Sequence, residues 1–415
     1  MTENSEPPNL SIAAVAGNGL SIAAEPTLSI PSLTTEISDR FELARSDRGN
    51  KSPVERVLAR LAHRGANSGD PNKDFEAMIG PLDQQRDNLT DLRELAEIVG
   101  NEVSSVQKAI KTLNSFVKSL RRQGVGYALE VIAERSRADA GHRDKIDDFM
   151  TELVNVADGG ELTIGNLNYD SMAMASLCDL YGSRLCDMAW GYRDAPFDLR
   201  GDGVLRTGRP LRSAPSQFPN FAQRPIRLLH LHGSLTWLRH PSTGVVYRFE
   251  IEDLRGGIVI DEATGLVRFA GNHWEQWRKG ATEWEPQVVL TNQAAKSDLI
   301  AEPPFKLGYD ALYASLLRAD RWLIAGYSFR DECVNTLLAD AWRNRKTIPE
   351  IMVVTFGDEL TQEQILDGIG YDPFAGDPTK KLFIHICRHG IEVAPKHNPW
   401  RNWAGSTELR QRKGA

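Results

Sequence analysis

The stretch RPIRLLHLHGSLTW (residues 224–237) sets His230 and His232 two residues apart at the end of an apolar run, with Gly233 directly after them. In an extended strand, residues two apart face the same side, so the pair could share a metal ion. Such a site needs a third ligand and usually a fourth, and no His-Glu-x-x-His or Cys-x-x-Cys pattern lies nearby to supply them. The other chemistry open to a histidine here is proton transfer. His230, deeper in the run, reads as a hydrogen-bonded core residue. His232 sits where the strand gives out, open to a ligand, which suits a general base.

Three more segments carry polar groups at the ends of apolar runs. In AGNGLS (residues 16–21), Gly17 and Gly19 allow a phosphate close to the backbone, and Ser21 lies at a helix start, where free amides favour an anion. An ordinary strand-to-helix turn fits as well, because the third glycine of a dinucleotide fingerprint is replaced by Ile22. In ELTIGNLNYDSM (residues 161–172), a strand runs into Asn168, Tyr169 and Asp170. Asn168 has the donors and acceptor to hold ribose hydroxyls or a water, while Asp170 either assists it or caps the next helix. In LIAGYSFRDECVN (residues 323–335), Gly326 and Ser328 repeat the glycine-plus-hydroxyl pattern, with Asp331 and Asn335 on the helix that follows. Open α/β sheets bind ligands along the C-terminal ends of their strands, so four such turns on one sheet would make a site.

The elements needed for this are legible. RWLIAGY and EIMVVTF are continuous apolar runs between polar helices, the pattern of strands buried on both faces of a parallel sheet. The expected fold is Rossmann-like α/β: a mostly parallel sheet, helices on both faces, and a helical insertion at about residues 35–157. Within the insertion, Val103, Val106, Ile110, Leu113, Val117 and Leu120 alternate at three and four residues, a heptad seam for docking, self-assembly or internal packing. From about residue 158 to 305 the runs are short and separated by turns, with DEATGL (residues 261–266) as a hairpin corner. One domain is expected over residues 11–400, between a flexible lead-in at 1–10 and a polar, solvated tail at 401–415.

Composition narrows the class. Across 415 residues, 41% are hydrophobic and 25% charged, as in soluble globular proteins, and the net charge of −7 argues against a strongly basic, phosphate-gripping surface. No run reaches the eighteen or so apolar residues of a membrane span, and MTENSEPPNL does not look like a secretory signal, so a cytoplasmic protein is expected. Cys178, Cys186, Cys333 and Cys387 form no Cys-x-x-Cys pair and read as buried, reduced thiols.

Taken together and in order, the four segments resemble the bacterial branch of the sirtuin-like (silent-information-regulator-type) superfamily. The family's Gly-x-Gly-x-Ser turn resembles Gly17 to Ser21. Its Thr-x-Asn-Tyr-Asp motif resembles Asn166 to Asp170, with Asn166 in place of threonine. Its Leu-His-Gly-Ser motif resembles Leu231 to Ser234, and its Gly-Tyr-Ser-Phe turn resembles Gly326 to Phe329, followed by Asp331 and Asn335. The resemblance implies NAD+ as substrate, bound through Gly17, Gly19, Ser21, Gly326, Ser328 and Asp331, with His232, Asn168 and Asp170 as the catalytic group. The deacylase branch carries a four-cysteine zinc module that the cysteine spacing here cannot build, so no zinc is expected. The resemblance points instead to antiphage NAD+ hydrolases, which stop phage replication at the host's expense. It implies a homo-oligomer beside a separate defence partner, such as a HerA-like ring ATPase or an Argonaute-like protein, with neither membrane nor sequence-specific nucleic-acid binding. The competing readings are an NAD-dependent deacylase or ADP-ribosyl transferase, a non-catalytic NAD sensor, and a nuclease subunit.

Overall fold

A computed structural model describes residues 10–43, 51, 53–64, 74–75, 77–82, 104–136, 140–189, 194–199, 203–252, 260, 267–270, 273–276, 284–290, 293–371 and 383–405. The strands are β1 (Ile12–Ala16), β2 (Leu162–Asn166), β3 (Leu185–Cys186), β4 (Ala195–Asp198), β5 (Leu205–Pro210), β6 (Ile226–His230), β7 (Gly233–Arg239), β8 (Val246–Phe249), β9 (Val267–Ala270), β10 (His273–Gln276), β11 (Glu285–Val288), β12 (Arg321–Ala325), β13 (Glu350–Val354) and β14 (Phe383–Cys387). The helices are α1 (Gly19–Ala24), α2 (Ile30–Leu43), α3 (Pro53–Arg64), α4 (Ser104–Arg135), α5 (Ala140–Ala157), α6 (Met172–Tyr181), α7 (Gln293–Ile300), α8 (Phe305–Arg318), α9 (Glu332–Asn344), α10 (Gln362–Ile369) and α11 (Asn398–Gly405).

The main sheet is parallel throughout, in the order β14-β13-β12-β1-β2-β6-β3. Both its faces are buried, and period-two alternation divides them: Ile12, Ala14 and Ala16 join one apolar cluster, Ala13 and Val15 the other. The first cluster continues into α2, α3, α5, α6 and α11, the second into α8, α9 and α10, so helices cover both faces. This is the α/β sheet expected from the continuous apolar runs. Going from β1, the chain builds outward on one side through β2 and β6, then returns to β1's other side with β12. That reversal sets a topological switch point at the C-terminal ends of β1 and β12, the place where open α/β sheets commonly bind ligands.

Two features were not expected. β6 ends at His230, so the strand gives out at His232 as expected, but after the turn of Leu231 and His232 the chain resumes at once as β7, a strand of a second, antiparallel sheet ordered β11-β7-β8-β5-β4. Residues 401–405 of the expected solvated tail are instead the end of α11, because Trp400 and Trp403 are buried and the Trp403 indole donates to the Glu350 carbonyl at 3.1 Å.

Between β1 and β2 the described chain is helical. Along the heptad seam, Ile110, Val117 and Leu120 are buried and Leu113 is exposed, while Val103 and the Val106 side chain lie outside the described residues. DEATGL also lies outside them, as does the lead-in apart from Leu10, which is buried. No helix among the described residues is long and apolar enough to cross a membrane.

Candidate active site

Strand register sets the site. Cys387, Val354, Ala325, Ala16, Asn166 and His230 lie in one row across the parallel sheet, each opposite the next. The chain leaves the sheet at this level, so Gly17 and Gly326 sit one residue beyond the row, and Asn168 and His232 two beyond it. Residues far apart in sequence thereby arrive at one edge.

The glycines at that edge are held against each other. A Cβ on Gly17 would lie 2.6 Å from the Gly326 carbonyl oxygen, and one on Gly19 would lie 2.6 Å from Gly326 Cα. The Gly17 and Gly19 amides donate to the Ala325 and Gly326 carbonyls, both at 2.9 Å, and the Leu20 amide donates to Gly17. Close packing of the β1 and β12 turns thus accounts for these glycines without a ligand. The β12 turn is also unusual in itself: Phe329, a bulky residue, has φ +56°, a conformation found mostly where surrounding structure imposes it. Asn335 Nδ2 holds the Phe329 carbonyl at 2.9 Å, and the Phe329 ring fills the space beside Gly368.

A chain of hydrogen bonds joins the first loop to the second. Asn168 Nδ2 donates to the Gly17 carbonyl at 3.1 Å and to Ser21 Oγ at 2.9 Å, and Ser21 Oγ donates to Asp170 Oδ2 at 2.6 Å. Asp170 Oδ1 accepts from the Met172 amide at 3.0 Å, fixing the start of α6. Burial raises the Asp170 pKa, opposed by the bonds from Ser21 and Met172. Ser21 and Asp170 are therefore built in as supports of Asn168. With its amide donors engaged inside the protein, the group Asn168 has left for a ligand is its acceptor oxygen. Asn166 braces the same loop, its Oδ1 accepting from the Asn168 amide at 3.2 Å.

The second cluster centres on a carboxylate shared by two cations or near-cations. His232 Nε2 lies 3.1 Å from Asp331 Oδ2, and Lys296 Nζ pairs with that same oxygen. The histidine approach is close but falls short of hydrogen-bond alignment, so proximity rather than donation is what the distance provides. Asp331 Oδ1 meanwhile caps α9, accepting from the Cys333 and Val334 amides. All three side chains are buried. Burial opposes ionisation of Asp331, but the Lys296 ammonium on its Oδ2 outweighs burial and holds the carboxyl well below the usual range. Burial, then the Lys296 charge, lowers the His232 pKa against the opposing pull of Asp331, which favours the neutral imidazole a base must be.

Phenols surround the carboxylate. Tyr327 Oη donates to Asn335 Oδ1 at 2.8 Å, and Tyr169 Oη donates to the Val289 carbonyl at 2.8 Å with its ring 6.3 Å from His232. The Tyr309 hydroxyl is buried without a hydrogen-bond partner.

His230 takes the core position expected for it. It is buried, with Nδ1 3.5 Å from Asn166 Nδ2 and its ring edge-on to Trp237 at 5.5 Å. Burial pushes its pKa down to about 4 from 6.5. Acid therefore favours the unfolded chain, whose imidazole protonates first: this contribution to stability is complete above pH 6.5 and is lost progressively as the pH falls toward 4. Urea midpoints measured from pH 7 to 4 should fall in that window, and His230→Phe should flatten the decline. An unchanged slope in the variant would remove His230 as its cause.

Among the expected residues, Gly17, Gly19, Ser21, Asn168, Asp170 and Gly326 form one connected set, and His232 joins Asp331. Ser328 is exposed and joins neither. Lys296 had no signal in the sequence, where it is one lysine in an ordinary helical stretch. Among the described residues, no three of His, Cys, Asp and Glu gather as metal ligands, and the four cysteines are free.

Fold and site together define an α/β protein with a buried acid–base cluster at the C-terminal edge of a parallel sheet. No family model and no curated protein matches the chain. A solved structure described as "Structural Basis for the Mechanism and Regulation of Sir2 Enzymes" is similar over 61% of this chain and 62% of its own, at 14% identity and a TM-score of 0.27. At that identity and score the likeness assigns neither an activity nor a residue role.

Proposed function

We propose that this protein hydrolyses NAD+ at the nicotinamide–ribose bond, with His232 as general base and Asn168 as the group that holds the ribose or the attacking water. The observation that supports this most is the common level of Asn168 and His232, each two residues beyond one register row at the same edge of the sheet. In the reaction, the bond from ribose C1′ to the pyridinium nitrogen breaks and its electron pair leaves with nicotinamide, which departs neutral. Water adds to C1′ through an oxocarbenium-like state, and its proton passes to His232 and then to solvent. Asn168 Oδ1, the free end of an otherwise engaged amide, accepts a hydrogen bond from the water or a ribose hydroxyl. Orientation of this kind and a placed base are what the reaction asks of the protein. Asp170 and Ser21 act through Asn168 and are positioning residues.

Following the sequence resemblance, this activity would deplete NAD+ in an antiphage response under control of a separate partner. The test is purified protein incubated with NAD+. Nicotinamide and ADP-ribose are expected in equal amounts, released without any acylated peptide. Cleavage only when an acyl-lysine peptide is present would replace this reading with a deacylase, and binding without cleavage, with or without a candidate partner, would replace it with a sensor.

A further inference from the structure

We propose that Lys296 is a positioning residue for this chemistry, acting on His232 through the Asp331 carboxylate oxygen that the two share. The inference rests on the reading of His232 as base, but its geometry is independent of any substrate. Lys296 comes from α7, Asp331 from the start of α9 and His232 from the turn between the two sheets, so three separate elements converge on one oxygen. A carboxylate alone beside an imidazole favours the protonated ring and so disables a base. A cation on the same oxygen offsets that pull, and inside a buried cluster the offset is large because water does not screen it.

The other titratable groups around the cluster do not compete. Tyr169 from the β2 loop, Tyr309 from α8, Tyr327 from the β12 turn and Cys333 from α9 all have their pKa values raised, chiefly by burial, and stay neutral near pH 7. His230, across the β6 turn, is also neutral there. Asp331 and Lys296 are then the charges that set the state of His232 among the described residues. Asp331 cannot swing away to relieve the contact, because its other oxygen caps α9.

The experiment is an NMR titration of the His232 ring nitrogens in the full chain, wild type against Lys296→Gln and Lys296→Arg, alongside pH profiles of nicotinamide release. Wild-type His232 is expected to titrate below pH 6.5. Lys296→Gln should raise its midpoint by about one unit or more and carry the acidic limb of turnover upward with it. At pH values below both midpoints that is a loss of about tenfold, shrinking and then recovered as the pH rises past them, whereas Lys296→Arg restores much of the wild-type profile. A uniform loss at every pH with an unmoved His232 midpoint would show a merely structural lysine and overturn the proposal. Should Lys296→Gln not fold, a wild-type His232 that titrates at or above pH 6.5 would overturn it equally. If wild type releases no nicotinamide, the hydrolase reading fails, while the titration still decides the role of Lys296.

Discussion

His232→Ala is expected to lower nicotinamide release by about 10²–10⁴-fold while the protein remains folded. The substitution removes the ring facing Asp331 but leaves the Lys296–Asp331 pair and the α9 cap in place, so no buried charge is orphaned. Circular dichroism and the melting temperature should therefore stay close to wild type. Asn168→Ala should also suppress turnover, but with a different signature. It strips donors from the Gly17 carbonyl and from Ser21 Oγ, two bonds worth about 0.5–1.5 kcal/mol each, so lost activity should come with lost stability. Initial rates and urea midpoints on the same preparations separate the two effects. A His232→Ala variant that keeps wild-type turnover would remove His232 from the mechanism altogether.

Gly233→Ala is expected to be among the most damaging single substitutions in the chain. Gly233 has φ +84°, and a Cβ there would lie 2.0 Å from the Gln287 carbonyl oxygen and 3.0 Å from Val288 Cα. The obstacle is the backbone of β11, which cannot rotate aside as a flexible side chain would. Gly159 supplies the comparison: it has φ +78°, and a Cβ placed there would meet nothing within 4 Å. Gly159→Ala should cost about 1 kcal/mol for the left-handed conformation alone, and Gly233→Ala about 3 kcal/mol or more. Because the His232 carbonyl accepts from the Val289 amide at 2.9 Å, prying β7 from β11 also displaces the base. Urea unfolding of both variants measures the gap. Equal costs would mean that β11 gives way without penalty.

How much of this was legible in the sequence depends on what each element buries. The parallel strands announced themselves because a strand covered on both faces must be apolar at every position, as IAAVA and EIMVV are. The antiparallel sheet did not, because strands such as LRTGRP carry arginines on a partly exposed surface and lack a clean alternation. Asn168 and His232 stood out as polar residues just past apolar runs. Their supports stayed hidden for a physical reason: Ser21, Asp170 and Lys296 acquire their roles from partners 147, 149 and 35 residues away. Asp331 was singled out on the helix that follows the β12 turn, but its contact with His232 depends on how α9 and the β6 turn meet in space. The glycines of the first turn were legible as a place of close approach, and the backbone they approach proved to be that of the β12 turn.

The passage of the chain from one sheet to the other at Leu231 and His232 limits where this protein can change length. His232 is tethered on both sides by hydrogen-bonded ladders, β6 in the parallel sheet and β7 in the antiparallel one, with two residues between them. Adding or deleting one residue there would swap the inward and outward faces of a whole strand, so indels between 226 and 239 should be excluded. Among the described residues, β9 and β10 pair with each other and with no strand of either larger sheet, which makes them a place where length can drift without moving the base.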